Sequence, residues 1–94
     1  MGTVRDAIQA KLTKAFAPTA LAIVDDSQRH AGHVGARPSG ETHFKVEITT
    51  AAFAGRSRVD RQRMVYAVLA EELAGPVHAL ELRTRTPEEA QRPV

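Results

Sequence analysis

The sequence predicts an α+β domain of two layers, built from two helices and a three-stranded sheet. Hydrophobic periodicity gives the element order helix, strand, strand, helix, strand, followed by a short C-terminal turn or helix. A chain of 94 residues allows one small domain with one core, which we expect to span residues 1–94. Apolar residues at 43% and charged residues at 26% are proportions typical of a folded globular chain.

The first helix is predicted from a cap and one apolar stripe. Thr3 is the expected N-cap, and an acidic residue, Asp6, follows at the third helical position. Apolar residues then recur at spacings of three and four, at Val4, Ile8, Leu12, Ala15 and Phe16. Pro18 ends the helix, and the short run of branched residues at 21–24 predicts the first strand.

A long polar segment leads into an alternating strand. Residues 25–42 are rich in Asp, Ser, His, Gly, Arg and Pro and show no periodicity, which is typical of a functional or mobile loop. Residues 43–50 alternate, with Phe44, Val46 and Ile48 on one face. This pattern predicts a half-buried strand.

The second helix is predicted over residues 57–74. Ser57 and Asp60 repeat the capping pattern, and Gly75 and Pro76 end the helix. One side of this helix is expected to carry Val59, Val65, Tyr66, Leu69 and Leu73, and the other side Met64 and Val68.

Residues 77–86 predict the third strand, and a last capped turn begins at Thr86. We expect the first two strands to pair antiparallel and the last two to run parallel, because a helix connects them. His43 and His78 then lie at strand starts on one edge of the sheet, which the loop with His30 and His33 enters.

The histidines are therefore candidate metal ligands, because neutral imidazole binds iron, zinc and copper. His30 and His33 on the loop, with His78 on a strand, would supply two or three nitrogens. The alternative interpretation is that His43 is solvated on the polar face of its strand and that His33 is only a polar loop residue.

A second candidate site is basic. Arg56, Arg58, Arg61 and Arg63 surround the predicted start of the second helix. Cations oppose the helix dipole at this end, which favours an anion, such as the phosphate of a nucleic acid, as the ligand. The alternative is a set of solvated arginines, and helical spacing places Arg63 nearly opposite Arg61.

Several function classes have little support. The chain has no cysteine, which excludes a disulfide framework and a thiol nucleophile, and the sequence has no nucleophile, nucleotide or metalloprotease motif. We therefore expect no enzyme. The longest apolar run, residues 64–70, is too short to span a bilayer, and the first residues lack a secretion signal, so we expect a cytoplasmic protein.

Ordered blocks over residues 4–89 resemble the BolA family. The match rests on Asp26-Ser27 before His30, THFKV at 42–46, FAGRS at 53–57, RQRMVY at 61–66, LAEEL at 69–73, VHAL at 77–80 and TRTPEE at 84–89. The resemblance implies a fold like a type II KH domain, which agrees with the predicted element order.

The resemblance also implies a partner, a monothiol glutaredoxin with glutathione, and a shared [2Fe–2S] cluster. His78 matches the C-terminal cluster ligand of the family. His30 matches the ligand in the variable loop, and His33 is a nearby substitute. Two imidazoles can replace two thiolates on one iron, as in Rieske centres, so a chain without cysteine can still ligate one iron of the cluster.

Two positions depart from the family pattern. The usual Arg-His-Arg of the second helix contains Gln62 here, and Ala90 replaces an aromatic residue after the final Pro-Glu-Glu.

Three hypotheses follow: an iron–sulfur adaptor, a DNA-binding transcription regulator that uses the four arginines, and a module that binds glutaredoxin without metal. The sequence leaves open whether the chain is a monomer or a homodimer.

Overall fold

The computed structural model describes residues 3–25 and 43–91 of the chain. The elements are α1 (Thr3–Phe16), β1 (Ala20–Asp25), β2 (His43–Thr49), a 3-10 turn (Ala51–Phe53), α2 (Arg58–Val68), α3 (Ala70–Ala74), β3 (Ala79–Arg85) and α4 (Pro87–Gln91). This order confirms the predicted mixed α+β architecture. None of the helices in the described ranges is both long and apolar enough to cross a bilayer.

The strands form one sheet in the order β1-β2-β3. β1 pairs antiparallel with β2, and Asp25 lies opposite Phe44. β2 pairs parallel with β3, and His43 lies opposite Ala79. Both predicted pairings are confirmed. The C-terminal end of β1 and the N-terminal ends of β2 and β3 therefore share one side of the sheet, which we call the histidine edge.

One hydrophobic core joins the helices to the sheet. Its buried members are Ile8, Leu12, Ile23, Phe44, Val46, Ile48, Phe53, Val65, Leu69 and Val77. Ile8 and Leu12 of α1 belong to the same core as the alternating residues of β2, because each periodicity gathers apolar side chains on one side of its element. The inward face predicted for the second strand is thus confirmed, and so is the stripe of the first helix at Val4, Ile8, Leu12 and Phe16, whereas Ala15 is exposed.

The second helix differs from its prediction in two respects. It breaks at Leu69, whose φ of −100° and ψ of 20° are not helical, so that α2 and α3 are separate. Val59 and Tyr66 were expected on the buried side but are 55% and 39% exposed. Val59 and Tyr66 lie about 100–120° around the helix from Val65 in one direction, whereas Met64 and Val68 lie on the other side of Val65 and pack against the core.

Candidate functional sites: a histidine edge and an arginine groove

His43 and His78 lie together at the histidine edge. His43 is the first residue of β2, and His78 immediately precedes β3, whose first residue pairs with His43. Their ring centroids are 6.1 Å apart, and the ring planes meet at 70°, an edge-to-face arrangement. The structure thus brings these two histidines together, as the parallel pairing predicted. His30 and His33 lie outside the described residues.

The two imidazoles differ in accessibility. His78 is exposed, whereas His43 is half-buried. Sequence patterning indicated a solvated His43, whereas the structure has it half-buried, with its ring edge-to-face with that of His78. An exposed imidazole at a sheet edge can reach a metal that is presented from outside the molecule.

Two imidazoles are an incomplete coordination sphere. The described ranges 3–25 and 43–91 gather no group of three or more His, Cys, Asp or Glu side chains able to hold a metal ion. Further ligands at this edge would have to come from residues 26–42, from solvent or from a second molecule. β1 ends at Asp25 and β2 begins at His43, and both of these residues lie at the histidine edge.

An arginine-lined cavity of about 850 Å³ occupies the opposite edge of the sheet. It lies between the start of α2, the end of β3 and α4, and we call it the arginine groove. Its lining consists of Arg56, Arg58, Arg61, Gln62, Leu82, Arg83, Thr84, Arg85, Glu89 and Ala90. Five of these ten residues are arginines and one is acidic, which makes the groove a favourable place for an anion.

Local capping explains how α2 presents this groove. The side chain of Ser57 accepts a hydrogen bond of 3.1 Å from the backbone N–H of Asp60, as the capping pattern predicted. The cap fixes the first turn of α2, from which Arg58 and Arg61 reach the groove.

Arg61 is part of the wall rather than an available ligand. It is only 7% exposed. Its Nε donates to the carbonyl of Arg56 at 3.0 Å, and its Nη1 and Nη2 donate to the carboxylate of Glu89 at 2.8 and 3.2 Å. Its guanidinium carbon also lies 5.8 Å from the ring centroid of Phe53, a cation–π contact. We therefore assign Arg61 a structural role instead of the predicted direct contact with nucleic acid.

Helix geometry separates Arg63 from the other predicted arginines. Arg56 and Arg58 line the groove together with Arg61, whereas Arg63 is not part of the lining. Arg63 follows Arg61 by two positions, a rotation of about 200° around the helix, so it faces away. The four arginines do not form one surface.

Two groove arginines were missed in the sequence. Arg83 and Arg85 alternate along β3 and reach the groove because β3 ends at the same edge where α2 begins. The alternating Arg-Thr-Arg pattern, taken together with the predicted parallel pairing, could have indicated that both arginines lie at this edge. Arg83 also makes a loose, exposed ion pair with Glu47 at 3.8 Å.

The described residues thus form a small α+β domain with a histidine edge and an arginine groove. The family model for "BolA-like protein" matches residues 12–89, and the chain belongs to the BolA family. The family resemblance drawn from the sequence blocks is thereby confirmed.

Curated relatives agree over most of the chain. It is 45% identical over 87 residues to "BolA-like protein 1" of Homo sapiens, a match that covers 93% of this chain and 61% of that protein. The chain thus spans about three fifths of the length of this mammalian relative. It is also 45% identical over 83 residues to the "DNA-binding transcriptional regulator BolA" of Escherichia coli, which covers 88% of this chain and 75% of that protein. Neither name denotes an enzyme.

Solved structures share the fold. The BolA domain of SufE1 from Arabidopsis thaliana superposes with a TM-score of 0.84 at 40% identity, covering 95% of this chain and 98% of that chain. The solution structure of BolA1 from Mus musculus gives a TM-score of 0.79 at 40% identity, covering 94% of this chain and 68% of that chain.

Proposed function

We propose that this chain is a non-enzymatic adaptor that shares a [2Fe–2S] cluster with a monothiol glutaredoxin during cluster assembly or transfer. The observation that carries the proposal is the position of exposed His78 beside His43, at the edge where residues 26–42 begin and end. That segment contributes His30 and His33, the two candidates for the second ligand on this side of the cluster.

Ligand chemistry supports a shared cluster rather than one that this chain holds alone. The chain has no cysteine, so it can offer the iron no thiolate of its own. Two imidazoles suffice for one iron of a [2Fe–2S] cluster, provided that thiolates hold the other iron. Glutaredoxin and glutathione would supply those thiolates, and the cluster is cargo that passes through the interface.

Chain length is compatible with this ligand pair. His30 is five residues beyond Asp25 in the sequence, a tether of up to about 17 Å in extended chain. β1 and β3 flank β2, which places their backbones roughly 10 Å apart. The tether from the end of β1 is therefore long enough to bring a loop imidazole to the position of His78.

Iron and sulfide content of the co-purified glutaredoxin complex tests the proposal. We expect two irons and two sulfides per shared cluster with the wild-type chain, and loss of most of both with His78→Ala. His30→Ala and His33→Ala, made separately, identify the loop ligand as the one whose loss reproduces the His78→Ala result. Gln62→Ala, an exposed change near the opposite edge, is the matched control and should retain the cluster.

Two outcomes would reject the adaptor. A stable wild-type complex without iron or sulfide would indicate a module that binds glutaredoxin without metal. Full iron and sulfide content in His78→Ala would show that this imidazole is not a cluster ligand.

The arginine groove favours a second candidate, a DNA-binding transcription regulator. Arg56, Arg58, Arg83 and Arg85 line one cavity at an edge remote from His78, and the E. coli relative is named as a DNA-binding regulator. The chain also resembles type II KH domains in its element order. Phosphate contacts release counterions, so DNA affinity should fall steeply with salt.

Salt titrations of duplex binding test this candidate. We expect Arg58→Ala and Arg85→Ala each to lower the slope of log affinity against log salt by about 0.9 if each arginine contacts one phosphate. Arg63→Ala removes the same charge outside the groove and serves as the matched control. Absence of binding at low salt, or equal slopes in all three variants, would eliminate the groove as a DNA site.

A further inference from the structure

Several guanidinium groups without a counter-ion converge on the arginine groove. Its lining holds five arginines and one glutamate, which leaves a net charge of +4. Arg61 and Glu89 neutralise each other through their bidentate ion pair. The side chains of Arg56, Arg58 and Arg85 form no ion pair with any other residue of the ranges 3–25 and 43–91. Like charges held around one cavity repel each other, so an anion placed between them would be stabilised.

These arginines belong to two walls of the groove. Arg56 and Arg58 lie just before and at the start of α2, whereas Arg83 and Arg85 lie on β3. Two residues apart on a strand, Arg83 and Arg85 point to the same face with their Cα atoms about 7 Å apart. The ion pair of Arg83 with Glu47 is loose, at 3.8 Å. An anion that neutralises the groove must therefore present oxygen atoms to both walls.

The first turn of α2 adds to the attraction for an anion. The side chain of Ser57 accepts from the N–H of Asp60, and the carbonyl of Ser57 accepts from the N–H of Arg61. The N–H groups of Arg58 and Val59 have no acceptor within the helix, because they belong to its first turn. Free N–H groups and the positive end of the helix dipole both favour phosphate at this end of a helix.

We propose that the arginine groove binds a condensed phosphate, the anion that inorganic pyrophosphate and tripolyphosphate share with nucleoside di- and triphosphates. Guanidinium groups pair with phosphate oxygens in a bidentate geometry. Linked phosphate groups can contact the α2 wall and the β3 wall at once, which a single phosphate group cannot do as fully. The cavity volume of about 850 Å³ is also typical of small-ligand sites, which occupy about 300–1,000 Å³.

This site is independent of both proposed functions. The adaptor uses the histidine edge, at the other end of the sheet. The DNA candidate uses the same arginines, but for the phosphates of a duplex, which are spread along the outside of a long helix. A condensed phosphate instead enters the cavity and concentrates its charge between the two walls.

Calorimetric titration of the full chain with sodium tripolyphosphate, without divalent cations, tests the site. We expect one tripolyphosphate per chain, and at least about tenfold weaker binding in Arg58→Ala and in Arg85→Ala, because each loses a charge-assisted contact. Arg63→Ala removes the same charge outside the groove and should bind within about threefold of wild type. Glu89→Gln removes the negative charge of the lining but keeps an acceptor for Arg61, so it should bind at least about threefold more tightly. A gain of affinity cannot come from a folding defect.

Two further ligands identify the source of the phosphate. Orthophosphate should bind at least about tenfold more weakly than tripolyphosphate, because it makes fewer charge-assisted contacts. Adenosine triphosphate with the affinity of tripolyphosphate would support a site that recognises the phosphate groups alone. Adenosine triphosphate that binds at least about tenfold more tightly would support the same site with a nucleotide as its ligand.

The outcomes separate the site from the DNA candidate. Absence of tripolyphosphate binding at low salt, or equal weakening in Arg58→Ala, Arg85→Ala and Arg63→Ala, would overturn the site. Duplex binding that depends on Arg58, without tripolyphosphate binding, would overturn it and leave the DNA candidate standing. Tripolyphosphate binding that depends on Arg58 and Arg85, without duplex binding, would support the site and eliminate the DNA candidate.

Discussion

The guanidinium of Arg61 forms a bidentate ion pair with the carboxylate of Glu89, with nitrogen–oxygen distances of 2.8 and 3.2 Å. The same carboxylate accepts a hydrogen bond of 2.9 Å from the backbone N–H of Thr86, and the N–H of Glu89 donates to the hydroxyl of Thr86 at 3.1 Å. This is a capping box at the start of α4. Because α4 has no buried residue, these polar contacts join it to α2 and close the arginine groove.

Replacing Arg61 should destabilise the fold. Arg61→Ala removes the ion pair, the bond to the Arg56 carbonyl and the contact with Phe53, so we expect the free energy of unfolding to fall by about 2–3 kcal/mol. The loss is smaller than for a fully buried pair because Glu89 is partly exposed. Urea denaturation measures it. Arg63→Ala should stay within about 0.5 kcal/mol of wild type, and equal midpoints for the two variants would contradict the structural role.

A pH-dependent contact joins α1 to α3. Lys11 Nζ lies 2.7 Å from Glu72 and 3.1 Å from Glu71. The hydrogen bond to Glu72, followed by that to Glu71, raises the pKa of Lys11 above its ordinary value. A raised pKa contributes stability that is complete below the unfolded-state pKa and disappears as pH rises through the folded-state pKa.

Comparison with Lys11→Met isolates this contribution. The wild type should have a higher urea midpoint than the variant at pH 8, and the difference should shrink as pH rises beyond about 10.4. The titration of other groups affects both proteins equally, so it cancels in the difference between their urea midpoints. A gap between wild type and variant that is as large at pH 11 as at pH 8 would show that the charge of Lys11 is not the source.

The end of α1 contains a strained alanine. Ala17 has a φ of 46°, in the left-handed region, and its N–H donates to the carbonyl of Thr13 at 3.0 Å. Glycine adopts this conformation without steric cost, so Ala17→Gly should raise the free energy of unfolding by roughly 0.5–1 kcal/mol. Ala15→Gly, an exposed change inside α1, should lower it by about 1 kcal/mol. Thermal unfolding compares the two, and destabilisation by both would contradict the assigned strain.

The fold was predictable where local patterns and connection lengths agree. The alternation of Phe44, Val46 and Ile48 fixed the inward face of β2, and a helical connection indicated that β3 runs parallel to it. Those two features also predicted that His43 and His78 share an edge. The break at Leu69 was not predictable, because its residue is apolar and continues the helical spacing, and only its backbone angles depart.

The candidate sites were only partly predictable, because they depend on contacts between residues that are far apart in the sequence. A charged residue at the start of a helix is ordinarily solvated, so nothing local indicated that Arg61 would be buried against Glu89, 28 residues later. Arg83 and Arg85 join the groove only through tertiary placement of β3 beside α2. His30 and His33 fall outside the described residues, and their role as ligands stays a prediction.

The visible circular dichroism of the cluster-loaded glutaredoxin complex tests the ligand role of His78 most directly. The cluster absorbs in the visible, and its dichroism depends on the ligands around the iron. With the wild-type chain, we predict a spectrum distinct from that of cluster-loaded glutaredoxin alone, whereas His78→Ala should return the spectrum of glutaredoxin alone. A His78→Ala complex with the spectrum of the wild-type complex would contradict the account.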